Sequence, residues 1–239
     1  MNESAYVNEV RGLSAADALP EERAAFIRKT YIHLVGAILL FGGFVTGIFY
    51  TGNAIPLTQT MLGTQFSWLI VLGIFMGVSW LANSWGRSQT SPYMQYMGLI
   101  LIALAYSIVF VPLLAVAAYY TADGPQLIGK AAVTTGGLFA GLSAVVFLTR
   151  KDFSFLGPIL AIGGFVALGF IASAILFGFT LGNVFAFAMV AFAGGSILYE
   201  TSNMLHHYRT NQHVAASMGL FASVALLFWY ILSIFMSRD

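Results

Sequence analysis

Residues 153–199 read FSFLGPILAIGGFVALGFIASAILFGFTLGNVFAFAMVAFAGGSILY and contain no Lys, Arg, Asp or Glu. About 20 residues of helix cross the roughly 30 Å of bilayer hydrocarbon, so this stretch is too long for one span and must reverse once. The reversal is expected at Gly178-Phe-Thr-Leu-Gly182-Asn183, where glycine at both ends permits backbone conformations closed to other residues. Two spans result, 156–177 and 183–205. A transmembrane β-barrel would instead show alternating segments of about ten residues, which these unbroken apolar runs do not resemble.

The same arithmetic applies outward from this stretch. Residues 30–86 are charge-free, and a polar, Pro-containing interruption from Thr51 to Gln65 divides them into spans at 31–50 and 66–85. Residues 88–122 hold one long span, 93–119, in which Pro112 is expected to kink the helix. Spans at 130–149 and 215–236 complete an all-α, polytopic bundle of seven transmembrane helices occupying residues 30–239. Composition agrees: 59% of residues are hydrophobic and 8% charged, against roughly a quarter charged in soluble domains. Residues 1–29 form a separate soluble-looking tail, with Pro20-Glu-Glu-Arg-Ala-Ala-Phe-Ile-Arg-Lys29 as a short juxtamembrane helix.

Basic residues set the expected orientation. With the N-terminal tail cytoplasmic, Arg11, Arg23, Arg28, Lys29, Arg87, Arg150, Lys151 and Arg209 fall inside, and only Lys130 and Arg238 fall outside. The C-terminus then emerges on the far side, as seven crossings require. The opening Met1-Asn-Glu-Ser-Ala-Tyr6 lacks a basic stretch followed by an apolar one, so no cleaved signal peptide is expected and the first span directs insertion. A net charge of +1 provides no field for nucleic acid, and the absence of cysteine removes thiolate chemistry and Cys-ligated metal.

Glu200 is the acidic residue inside an expected span. A carboxylate at mid-membrane costs on the order of 2.5–3.5 kcal/mol on insertion scales, so such groups face the bundle interior and commonly serve function. Tyr199, Thr201, Ser202 and Asn203 surround it in sequence and offer hydrogen bonds in either protonation state. Arg87, at the end of the second span, is a candidate partner. The histidines His33, His206, His207 and His213 lie at span ends, where a histidine-metal membrane hydrolase is a third reading and interfacial packing the simpler one. Gly43-xxx-Gly47, Gly73-xxx-Gly77 and Gly137-xxx-Gly141 read as helix-packing motifs. The last span has no Lys to carry retinal, and the chain lacks a phosphate-binding loop and a Gly-x-Ser-x-Gly elbow.

Thr149-Arg-Lys-Asp-Phe-Ser-Phe-Leu-Gly157 and Ile197-Leu-Tyr-Glu-Thr-Ser-Asn203 resemble the Bax inhibitor-1 family. With Phe221-Ala-Ser-Val-Ala-Leu-Leu-Phe228 and the terminal Ser237-Arg-Asp239, they are most similar to its bacterial YccA-like branch. The resemblance covers the chain from about Phe26 and implies a seven-helix fold with a central last helix, in the cell inner membrane. It marks Arg150, Lys151 and Asp152 as a motif loop and implies modulation of a membrane-anchored AAA protease of the FtsH type, without catalysis, metal or cofactor. In the family's calcium-leak members, two aspartates on the sixth and seventh spans form a pH-sensitive pair; here those positions match Glu200 and Ser223. One carboxylate falls short of the six to eight oxygens that calcium takes. A pH-sensitive calcium, cation or proton leak through the bundle, gated at Glu200, is the alternative expectation.

Overall fold

The structure is a computed structural model and describes residues 14–64, 66–88 and 91–237. Eight helices follow one another: α1 Pro20–Tyr50, α2 Ala54–Leu62, α3 Ser67–Gly86, α4 Pro92–Tyr120, α5 Pro125–Thr149, α6 Leu156–Phe177, α7 Gly182–His206 and α8 His213–Met236. All but α2 are long and apolar enough to cross a membrane. The expected reversal falls where the glycines stand: α6 ends at Phe177, Gly178 turns left-handed at φ 71°, and α7 begins at Gly182 with φ 67°.

Local chemistry sets the helix starts. Pro20 opens α1 with Glu21 and Glu22 in its first turn, where they complement the positive helix end. Ser91 caps α4, its hydroxyl accepting from the Met94 amide at 3.4 Å. Pro112 lies buried within α4, which continues as one helix through to Tyr120.

Two expectations about the chain's first third are corrected. The helix expected over residues 20–29 is present but does not end at Lys29: α1 runs unbroken from Pro20 into the first span, with Phe26, Thr30, Leu34 and Ala37 on one buried face. Charges end an apolar run without ending a helix, so the boundary at residue 29 was a boundary in polarity alone. Part of the expected tail also packs into the bundle. Ala15 is fully buried, its amide donates to the Tyr208 carbonyl at 2.8 Å, and Arg23 donates through Nε to the Ala15 carbonyl at 2.6 Å. Residues 1–13, also assigned to the tail, lie outside the described residues. The Thr51–Gln65 interruption contains α2, which packs on α3 and α4 and buries Ala54 and Met61.

The last helix is the axis of the bundle. α8 packs against α1, α3, α4, α5 and α7 and buries residues on every side, including Val214, Met218, Phe221, Leu227 and Ile231. α6 packs chiefly on α7, and its outward Phe165, Phe170 and Phe177 are exposed, as suits a lipid-facing surface. Ser107 of α4 bonds the Ala103 carbonyl at 2.7 Å and reaches the Phe41 carbonyl of α1 at 3.2 Å, joining two spans through the core.

The three GxxxG stretches do not make the close approaches expected of them. A Cβ built on Gly43, Gly47, Gly73, Gly77, Gly137 or Gly141 meets no atom within 4 Å. Gly98 does that work between α3 and α4: a Cβ there would lie 2.6 Å from the Ala82 carbonyl oxygen and 2.8 Å from the Gly86 nitrogen. Spacing within one helix cannot show which face meets a neighbour.

Candidate functional site

Most of the charge and hydrogen-bonding chemistry gathers at the bundle end that carries Arg87, Arg150 and Arg209. There the C-terminal turns of α3, α5 and α7 meet the start of α8 and residues 14–19. Glu200, in the second-last turn of α7, points at the axial helix. A Cβ built on Gly219 would stand 2.5 Å from Glu200 Oε2, 2.7 Å from Cδ and 3.1 Å from Oε1. The carboxyl therefore rests directly on the bare backbone of α8, in space that any other residue at position 219 would occupy.

Oε2 is buried without a hydrogen-bond partner. Around the carboxyl stand Tyr208, from the loop after α7, and Arg87, which caps α3 and attracts it electrostatically. The ion pairs among the described residues are elsewhere, Lys130 with Asp123 and His207 with Asp152. Burial pushes the Tyr208 phenol above its ordinary value, and the negative charge of Glu200 pushes it further. Tyr208 thus stays a neutral donor beside the acid.

The sequence neighbours of Glu200 serve other contacts. Successive helix positions turn by about 100°, so residues beside it in sequence face away from it in space. Tyr199 packs on Gly157 of α6, where a Cβ would lie 3.0 Å from Tyr199 Cε2. The Ser202 hydroxyl accepts from the Phe153 amide at 2.8 Å and donates to Asp152 Oδ1 at 3.3 Å. Thr201 Oγ1 is buried without a partner, and the Asn203 carbonyl accepts from the His207 and Tyr208 amides. Ser223, expected opposite Glu200, donates instead to the Gly219 carbonyl at 3.0 Å. It stands one turn along α8 from the residue that the carboxyl touches, and no hydrogen bond joins it to Glu200.

The loop Arg150-Lys151-Asp152 is built onto α7. Arg150 ends α5 in the left-handed conformation at φ 52°. Asp152 accepts from the Ser154 amide at 2.8 Å and faces His207 Nε2 at 3.3 Å. Its carboxyl is held below the usual carboxylate range, first by that Ser154 amide and further by His207 and Ser202. The two sequence stretches that carried the family resemblance therefore meet in space, through Ser202 on Asp152 and Phe153 and through Tyr199 on Gly157. His33 and His213 pack edge-on with ring centroids 4.7 Å apart, and His206 and His207 form a second couple at 6.3 Å. Among the described residues, no three His, Asp or Glu side chains converge to hold a metal ion.

A family model described as "Inhibitor of apoptosis-promoting Bax1" matches residues 23–239. The chain belongs to the Bax inhibitor-1 family. Similar proteins occur in bacteria, a fungus and a plant. An uncharacterized protein of Pseudomonas aeruginosa is 29% identical over 229 residues, covering 93% of this chain and 94% of that one. Bax inhibitor 1 of Schizosaccharomyces pombe is 29% identical over 230 residues, covering 92% and 79%. The Escherichia coli protein named Modulator of FtsH protease YccA is 37% identical over 124 residues, spanning 51% of this chain and 56% of that protein. This Bax inhibitor-1 protein is accordingly a multi-pass membrane protein whose last helix forms the core of the bundle.

Proposed function

We propose that this protein modulates a membrane-anchored AAA protease of the FtsH type in the cell inner membrane, tuning the turnover of membrane proteins without chemistry of its own. The observation that carries this reading is the 37% identity with the Escherichia coli modulator of FtsH protease. The matched region is about half of each chain, so the partner is brought to this protein as a proposal. The structure supports it with a cross-braced surface at the arginine-rich end. Residues 150–154 are tied to α7 through Ser202, the loop after α7 is tied to residues 14–15 through Tyr208, and Asp152 pairs with His207 between the two. Seven of the eight basic residues among the described residues fall toward this end, which favours a cytoplasmic placement where a protease's ATPase domain would meet it. Co-purification from native membranes with the protease, together with altered turnover of a membrane substrate when this protein is deleted, is the test. An unaltered turnover rate and no co-purification would refute the reading.

A second reading is favoured by one specific observation, the buried and unpartnered Oε2 of Glu200 against Gly219. An acid in that position is suited to carry a proton or assist a cation through the bundle in response to pH. Flux of protons or calcium into dye-loaded liposomes that is lost in Glu200→Gln supports this reading. Equal flux in the variant and the parent refutes it.

A further inference from the structure

A cavity of about 270 Å³ opens at the arginine-rich end between α1, α5 and α7, without Glu200 in its lining. Three cationic or protonatable side chains line it from three different elements: Arg23 of α1, Arg150 at the end of α5 and His206 at the end of α7. Its remaining wall is apolar, formed by Ile27, Phe147 and Leu205 with Ala16, and no carboxylate lines it. The nearby acids are engaged elsewhere, Asp152 with Ser154, Ser202 and His207, and Asp17 with Ser14.

The cations remain available. Arg23 gives Nε to the Ala15 carbonyl and one terminal nitrogen to the Ala16 carbonyl, leaving three of the five guanidinium N–H groups. No hydrogen bond or ion pair among the described residues engages the Arg150 guanidinium, although its backbone is held in the left-handed conformation at φ 52°. The His206 ring is fixed through Nδ1 on the Ser202 carbonyl at 3.0 Å.

Two arginines that line one small space supply guanidinium forks of the kind that match the oxygens of a phosphate ester. The apolar wall beside them, at the membrane end of three spans, matches the first methylenes of an acyl chain. We propose that this pocket binds the phosphate of an anionic phospholipid, held by Arg150 and Arg23, with the lipid's tails leaving over Ile27, Phe147 and Leu205. The carbonyl ends of α5 and α7 attract the same basic side chains, so the test reads lipid rather than stability.

Native mass spectrometry of the full chain in detergent counts bound lipid against added phosphatidylglycerol or phosphatidylcholine of matched chains. The pocket predicts preferential retention of phosphatidylglycerol. A Lys or Arg near a membrane surface contributes on the order of 1 kcal/mol toward anionic lipid, so Arg150→Gln should weaken phosphatidylglycerol binding about five-fold, with Arg150→Lys keeping most of it. Arg209→Gln removes the same charge at the same end but lies outside the lining and should leave binding unchanged. Equal retention of the two lipids by the parent overturns the proposal, whether or not a variant folds. So does an equal loss in Arg209→Gln and Arg150→Gln, which would reveal diffuse charge rather than a pocket. Full displacement of phosphatidylglycerol by millimolar inorganic phosphate would assign the site to a soluble phosphate and overturn the lipid.

Discussion

Gly219→Ala probes the contact on which the site is built. The new methyl would arrive 2.5 Å from Glu200 Oε2 and 2.7 Å from Cδ, about 1 Å inside the ordinary 3.5–4.0 Å separation of non-bonded heavy atoms. The carboxyl has to give way in a packed interior, at a cost of about 1–3 kcal/mol. Against this, alanine is favoured over glycine inside a helix by about 0.8–1.0 kcal/mol. The single variant should therefore be destabilised by about 0–2 kcal/mol. In a Glu200→Ala background the obstacle is gone, and the same Gly219→Ala change should stabilise by roughly 1 kcal/mol. The double-mutant cycle then gives a coupling of about 1–3 kcal/mol, measured by unfolding of the four proteins in mixed micelles. If Gly219→Ala changes stability equally with and without the Glu200 side chain, the carboxyl does not rest on α8 and the site as described is refuted.

Other expectations follow from single contacts. Gly98→Ala places a methyl against backbone atoms of α3, which cannot swing aside, so it should cost about 1–3 kcal/mol or more in spite of its helix propensity; an unchanged unfolding midpoint would contradict this. Ser202→Ala removes the acceptor of the Phe153 amide and should destabilise by about 1–3 kcal/mol, with faster hydrogen exchange at Phe153; unaltered exchange there would contradict the docking of the loop. Arg150→Gly relieves a left-handed backbone at φ 52° and should raise stability by about 1 kcal/mol, read as a higher midpoint. Asp152 has a folded-state pKa below its unfolded value, so its stabilisation is present above the unfolded value and is lost as pH falls through the folded one. Asp152→Asn should flatten the acid limb of thermal stability below about pH 4, and an identical limb in the parent and the variant would contradict that.

The spans were legible because the constraint on them is simple. Charges cannot be spread through hydrocarbon, so charge-free runs divided by helix length give the helix count, and Gly178 and Gly182 mark a reversal in a stretch too long to cross once. Glu200 was legible for the same reason, as an acid where acids are costly. What surrounds it was hidden. Gly219 and Tyr208 lie on α8 and in the loop before it, and nothing in local sequence says that the carboxyl of α7 rests on that glycine. The hydroxyls beside Glu200 in sequence drew attention, but helical rotation turns Tyr199 toward α6 and Ser202 toward the 150–154 loop. The GxxxG spacings misled likewise, since small residues permit close approach without choosing which face is approached, whereas Gly98 has no such spacing and carries the contact. The charged segment before Thr30 looked separate because polarity changes there, although Phe26 and Ala15 already belong to the core.

The proposed action on a membrane-anchored AAA protease rests on the partial match to the Escherichia coli modulator. The most direct measurement is the half-life of a membrane substrate degraded by that protease in proteoliposomes, with and without this protein at equal molar amounts and saturating ATP. A changed half-life, restored when the cross-braced surface is loosened by Ser202→Ala with Asp152→Asn, is the predicted result. Identical half-lives in the presence and absence of the protein, under conditions where both are inserted and folded, would contradict the account.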